Sequence, residues 1–482
     1  MDETTNSCLN VDDLDDDVLL ITFSYLDFLE KVRIRMVCKR WERLGGYLLS
    51  MQTCLYFNDK NVYDVELSCP KASCSVKSNE CIELSKLLLG ANSDFLEYLE
   101  KEEWDEERTI VMNKALSLCP NIKRVGMVEF LRLESPIKRI IDNCDGDIEE
   151  IDLIDFKTIS LTVDEMKNIG IKFPSLKYLR IVSATILTSE ESLKELFLSC
   201  KNLQVFIVHS NLLLPPSWTK WGREGNYHRV MGDCFSLLTN NIHQISTDLR
   251  VMDDCGLINL ASGNGAENLT CLDLSGSTFH PWWFQIVCPS FRKLIKLRSS
   301  KIIAQSIEDA DDISLICQLF DLEELYLDFH YSKSLILCLD DAIYSIMQGC
   351  RKMRKIELFN TYLTDRSLVE INKFWNELIH LSLNTQMNPD ITDVSVPSIA
   401  ELKNLQYLNL NGTNVSDKIV DVLHHCNQIR DINLEYTFIS NRVVSSAIAI
   451  AKLRPNDKIV FDLAGNDIVL PENIPSNLTI YL

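Results

Sequence analysis

The sequence predicts a mixed α/β chain: a small all-helical module, then a solenoid of strand–helix repeats whose parallel strands form a curved sheet with helices outside. Three observations carry this. A short apolar pattern returns every 24 to 31 residues from about residue 119 onward, the second half of each unit has helical spacing, and residues 11 to 50 follow neither rule.

The recurring half-unit is an apolar residue, two variable ones, an apolar residue, one variable and a further apolar residue. Leu405-x-x-Leu408-x-Leu410, Leu378-x-x-Leu381-x-Leu383, Ile429-x-x-Ile432-x-Leu434 and Leu322-x-x-Leu325-x-Leu327 are clear copies. Others begin at Ile122, Ile148, Leu176, Leu203, Ile242, Leu269 and Met353; between Leu269 and Leu322 both Phe291 and Leu294 suit the first position. Alternation with a period of two makes this half a short strand. The other half reads as a helix, because Thr364-Asp365, Thr392-Asp393 and Ser416-Asp417 are each followed by apolar residues three apart, the spacing of one helical face behind a cap. One unit alone cannot bury its leucines, whereas stacked units share a core.

Residues 119–482 resemble the cysteine-containing class of leucine-rich repeats, in which a Cys closes the helix just before the next strand. Cys119-Pro120-Asn121-Ile122, Cys200-Lys201-Asn202-Leu203, Cys350-Arg351-Lys352-Met353 and Cys426-Asn427-Gln428-Ile429 carry the resemblance, while other units place Leu, Phe or Trp at the Cys position. That placement reads many of the 17 cysteines as small core residues rather than as a disulfide framework.

In the N-terminal module, Leu14-Asp15-Asp16-Asp17-Val18-Leu19 opens a helix with carboxylates at its positive end and sets Leu19, Phe23 and Leu26 on one face. A second amphipathic stretch ends in Met36-Val37-Cys38-Lys39-Arg40-Trp41. Forty residues this apolar need a partner to cover them. The segment, taken as residues 8–50, resembles an F-box, with Leu14, Val18-Leu19, Phe23-Ser24-Tyr25-Leu26 and Val37-Cys38-Lys39-Arg40-Trp41 at the family's successive motif positions. Asp15 stands where the family usually has Pro, which loosens the entry turn. The resemblance implies docking onto a Skp-type adaptor and, through it, a cullin, with Leu14, Val18, Leu19, Phe23, Leu26, Val37 and Trp41 forming or supporting the interface. Leu14 and Leu19 are expected to face the adaptor; Phe23 and Trp41 suit either the interface or the packing of the helices on one another.

Residues 51–118 read as a linker with degenerate first strands at Leu55-Tyr56-Phe57 and Val65-Glu66-Leu67. Asp94–Arg108 in it holds eight carboxylates against two basic residues. The whole chain of 482 residues carries 48 Lys+Arg against 69 Asp+Glu, a net charge of -21, which repels phosphate backbones and anionic lipid surfaces. Neither nucleic acid nor a membrane is expected as a partner; a basic protein is. The N-terminus lacks a signal peptide's basic and apolar regions, and no continuous apolar run reaches spanning length, so a cytoplasmic or nuclear chain is expected.

Motifs for chemistry are sparse. No Cys-x-x-Cys occurs, and Cys69, Cys74 and Cys81 are too widely spaced for a tetrahedral site to be read from them. Gly263-Asn264-Gly265 lacks a dinucleotide loop's third glycine, and His424-His425-Cys426 reads as a helix end. No catalytic residue, metal ligand or cofactor is assigned.

Binding is the remaining expectation. Between the flanking leucines of each strand one residue faces the concave surface: Tyr326, Glu357, Ser382, Asn409 and Asn433, with Glu324, Asp328, Tyr407, Asp431 and Glu435 alongside. That mixture suits a basic or hydrogen-bonding peptide. The 39-residue interval between the units at Leu203 and Ile242 also marks an insertion near 211–241, with Pro215, Pro216, Trp218, Trp221 and Tyr227; its aromatics either anchor a partner or fold back onto the repeats. The aromatics Phe279, Trp282, Trp283 and Phe284 fall in a helical half-unit and read as core. Together these features lead us to expect a non-catalytic subunit of a Skp/cullin/F-box ubiquitin ligase that recruits its target through the repeats; the alternative is a repeat scaffold that builds no ligase.

Overall fold

The computed structural model describes residues 14–58, 75–77, 112–128, 135–144, 147–210, 232–247, 254–275, 279–304, 306–330, 338–384 and 388–482. The insertion around Trp218 and Trp221, the acidic run 94–108, Val65-Glu66-Leu67 and the cysteines at 69, 74 and 81 lie outside the described residues. The chain divides into two compact units, Met1–Val230 and Met231–Leu482.

The first unit opens with α1 (Asp16–Ser24), α2 (Phe28–Ile34) and α3 (Lys39–Ser50). Asp27 caps α2 in a reciprocal box with Glu30. Only residues 51–53 separate α3 from the strand Cys54–Asn58, which lies between Ser75–Lys77 and Arg124–Val128. From Arg124–Val128 the parallel sheet continues in chain order through Glu150–Leu161, Tyr178–Thr188 and Val205–Ser210. The helices Pro136–Asn143, Val163–Lys172 and Glu190–Ser199 fill the connections. Asn202 donates to the Pro174 carbonyl at 2.9 Å, one repeat back, and Asn121 donates to Ser50 O at 2.8 Å in the same way. Lys123 and Arg124 both donate through their backbone N–H to Thr53 O, as Glu149 and Glu150 do to Lys123 O. Thus α3 takes the place of a repeat helix, and the helical module runs directly into the first repeat.

In the second unit the parallel strands are Gln244–Thr247, Cys271–Leu274, Lys296–Ile302, Glu324–Phe329, Lys355–Phe359, His380–Asn384, Tyr407–Asn409, Asp431–Asn433, Ile459–Asp462 and Leu478–Tyr481. Leu272, Leu297, Leu325, Ile356, Leu381, Leu408, Ile432 and Phe461 are in register and all buried, so the eight strands from Cys271–Leu274 to Ile459–Asp462 each lend one side chain to a single apolar row. Leu294 holds the first position ahead of Leu297, and Phe291 closes the preceding helix; both are buried.

The helix-closing cysteines 119, 200, 350 and 426 are buried, and none is in a disulfide. Desolvation pushes the thiols of Cys350 and Cys426 up to about 12 and about 11, so they remain neutral donors. Cys350 Sγ approaches Ile316 O at 3.2 Å and Cys426 Sγ approaches Leu402 O at 3.2 Å. Trp375, at the same position in its unit, donates from Nε1 to Cys350 O at 2.8 Å. A larger side chain thus supplies the same bond to the preceding turn.

Hydroxyls and aspartates at the helix starts have two duties, although Ser416 makes no side-chain cap. The hydroxyls of Thr364, Thr392 and Ser440 accept backbone N–H bonds two residues on, at 3.2 to 3.3 Å. The aspartates bond forward: Asp340 accepts from Thr364 N and Oγ1, Asp365 from Thr392, Asp393 from Ser416 and Asp417 from Ser440, at 2.5 to 2.9 Å. This carboxylate ladder ties each unit to the next with charge-assisted bonds.

Candidate functional site

Two surfaces merit description, the outer face of the helical module and the open face of the second unit's sheet. In the module, Leu19, Phe23 and Leu44 form the centre, with Leu14, Leu20, Leu26, Ile34, Trp41 and Leu48 packed around them. The rings of Phe23 and Trp41 meet edge to face at 4.8 Å between centroids. Asp16 clamps α1 to α3, accepting from Arg40 Nε at 2.7 Å and Arg43 Nη2 at 2.6 Å; the Arg40 bond chiefly holds its carboxyl below the usual range.

This packing corrects the sequence reading of Leu19. It is 0% exposed and faces α3, so it supports the module from within and presents nothing to a partner. Phe23 is likewise internal, Trp41, Leu14 and Leu26 are partly covered, and Val18 and Val37 stand on the surface. Sequence reasoning missed Ile21, Tyr25 and Met36, all well exposed, Tyr25 by 84%. The signal was there: Val18, Ile21 and Tyr25 fall at i, i+3 and i+7, a second apolar stripe on a helix whose first stripe is already buried. Asp15 has φ -63 and ψ 154, the shape a proline would impose, so this substitution costs preorganisation and leaves the entry geometry intact.

On the second unit's sheet, the residues between the buried leucines form two rows across the strands. Glu324, Lys355, His380, Tyr407 and Asp431 occupy one, and Tyr326, Glu357, Ser382, Asn409, Asn433 and Asp462 the other. Much of the expected acidic surface is neutralised internally. Glu324 pairs with Lys296 at 2.7 Å, Glu357 with Lys355 at 2.7 Å, and Asp328 accepts from Asn360 at 2.9 Å. Arg298 lies over the Tyr326 ring at 4.6 Å, with Asp273 at 3.9 Å. His380 stacks flat on Tyr407 at 3.9 Å, 3.4 Å from a Glu357 oxygen; burial and the Lys355 ammonium together outweigh Glu357 and hold its pKa down to about 4.

Two expected recognition residues prove structural. Asn409 is only 5% exposed, and its side-chain oxygen accepts from Asn411 N at 2.9 Å; Asn433 does the same for Glu435 N at 3.0 Å. Both close side-chain turns that end their strands. Ser382 is also buried. Further along, neutralisation stops. Asp431, Glu435 and Asp462 form no ion pair among the described residues. Burial, then Asp462, raises the carboxyls of Asp431 and Glu435. Beside them Tyr436 and Phe438 are 67% and 69% exposed. The aromatics Phe279, Trp283 and Phe284 are buried in the core, with Trp282 part-exposed.

Residues 11–45 match the F-box domain family. No curated protein matches the chain by sequence. Among solved structures, it is similar to the Rad7 and Elc1 complex in yeast, at 14% identity over 83% of this chain and 91% of that one, with a TM-score of 0.41. It is also similar to an internalin from Listeria monocytogenes, at 15% identity over 66% of this chain and 88% of that one, with a TM-score of 0.37.

Proposed function

We propose that this F-box domain, joined to a leucine-rich-repeat solenoid, acts as the substrate-recruiting, non-catalytic subunit of a Skp/cullin/F-box ubiquitin ligase. The supporting observation is the module's exposed apolar residues, Val18, Ile21 and Tyr25 along α1 and Met36 and Val37 at the turn before α3, on a domain that matches the F-box family, while the clamp from Asp16 to Arg40 and Arg43 fixes α1 to α3. An apolar face on a firmly packed support suits a protein partner, and in this reading the partner is a Skp-type adaptor. The open face of the repeats holds the target. Catalysis then comes from the rest of the assembly, and this chain contributes proximity by raising the target's effective concentration at the charged ubiquitin carrier.

The test is capture of purified Skp-type adaptor and cullin by the full chain. Wild type should bring down both. Ile21→Asp with Tyr25→Asp should lose the adaptor and leave thermal melts unchanged, since exposed substitutions move stability by no more than about 0.5 kcal/mol. Leu19→Ala should cost roughly 2 to 5 kcal/mol of module stability instead. Adaptor without cullin would favour an interaction scaffold, and capture that survives the double surface variant would end the assignment.

A further inference from the structure

We infer that the C-terminal end of the open face is a docking site for an extended protein segment carrying an arginine, whose guanidinium enters between Tyr407, Asp431, Glu435 and Asp462 while the segment lies against Tyr436 and Phe438. This rests on the reading of the open face as the target-holding surface and names the chemistry of the target.

At Arg298 the fold shows such an arrangement filled from within, a guanidinium over a tyrosine ring with a carboxylate beside it. Lys296 and Lys355 likewise answer Glu324 and Glu357. Three to five strands on from Tyr326, a tyrosine and three carboxylates recur without a cation among the described residues. The Glu435 carboxylate accepts from Asn411 Nδ2 and lies within hydrogen-bonding reach of the Asp462 carboxylate, which itself accepts from its own turn at Ala464 N, 3.3 Å away. Crowded carboxylates without a counter-charge repel one another, and a cation from outside would relieve that repulsion.

Tyr436 and Phe438 are large rings left on the surface directly after the strand that carries Asp431. Tyr436 has φ 51, a left-handed conformation that bulky residues rarely adopt, at a step taken by glycine in the units before and after it. The fold therefore holds an aromatic outward at a position where glycine would be easier. Arginine is the cation that both forks onto carboxylates and stacks on rings, and a protein segment is the occupant that supplies it along a row of strands.

The experiment uses the full chain and a fluorescein-labelled peptide of alternating glycine, serine and arginine, read by fluorescence anisotropy, with the same peptide bearing citrulline as the uncharged control. The arginine peptide should bind, more weakly as salt rises, and the citrulline peptide should not. Asp431→Asn with Glu435→Gln should weaken binding by about tenfold or more, the range for losing close charge pairs. Tyr436→Gly should weaken it several-fold without lowering the melting temperature. Asp164→Asn with Glu191→Gln, which removes equal charge from exposed positions on two helices of the first unit, should have little effect. Equal loss from that control pair, equal binding of the two peptides, or no binding of either would overturn the site. Adaptor capture is measured on the same preparation: captured adaptor with no arginine-dependent binding rejects this site and leaves the ligase reading standing, and arginine-dependent binding without adaptor capture does the reverse.

Discussion

The ring of Tyr436 lies over the backbone of Gly465: a Cβ built on that glycine would sit 2.4 Å from Tyr436 Cδ1. The two residues occupy the same step of successive repeats, two places beyond the second buried strand residue, and so do Lys301, Asn360 and Gly412, all at positive φ. Gly465→Ala should therefore combine a left-handed backbone penalty of about 1 to 2 kcal/mol with a clash against the ring. Thermal melts of Gly465→Ala, Tyr436→Gly and the double variant form a cycle. The double variant should be more stable than the sum of the two single effects predicts, because removing the ring removes the clash. Strict additivity would show that the ring does not rest there.

The leucine rows could be read from sequence because a period of two and a shared core leave one side of each strand no alternative. The closing cysteines followed for the same reason. What failed were distinctions that alternation cannot make. Asn409 does point away from Leu408 and Leu410, yet nothing in the pattern says that its oxygen will be taken by Asn411 N. Lys296 and Glu324 are far apart in the chain, and only the register brings them to 2.7 Å. In α1 both faces are apolar, so the sequence alone could not say which stripe, Leu19 with Phe23 or Val18 with Ile21 and Tyr25, would be used inside.

The carboxylate ladder should behave as a set of staples between neighbours. Asp393→Ala removes both acceptors of Ser416 N and Oγ, and bonds to a charged group contribute about 1.5 to 3 kcal/mol. Hydrogen exchange should show the loss at Ser416 and the helix after it, with the F-box amides unaffected. Protection lost evenly along the chain would mean that the bonds do not act locally.

Acid should weaken the second unit through His380. Folded, it takes a proton only below about 4, whereas an unfolded histidine does so near ~6.5. Between those values the unfolded state binds more protons, so stability should fall as pH drops from about 7 to about 4, with no further change from this group below that. The groups facing it are Glu324, Lys355, Glu357 and Tyr407. Asp152 in the first unit acts oppositely: burial raises it to about 6, so its contribution is lost as pH rises. The difference between wild type and His380→Phe, which keeps the stack on Tyr407, isolates the histidine. Chemical denaturation across this range should show His380→Phe losing less stability in acid than wild type; parallel curves would contradict the assignment.

The passage from α3 into Cys54–Asn58 through residues 51–53 has a mechanical meaning. A module on a flexible tether swivels under load, and torque on it dissipates in the tether. Here α3 is itself the first turn of the stack, pinned where Asn121 grips Ser50 and where Lys123 and Arg124 grip Thr53. The three helices are mounted like the root of a cantilever, and a partner that tilts them bends the first strands with them.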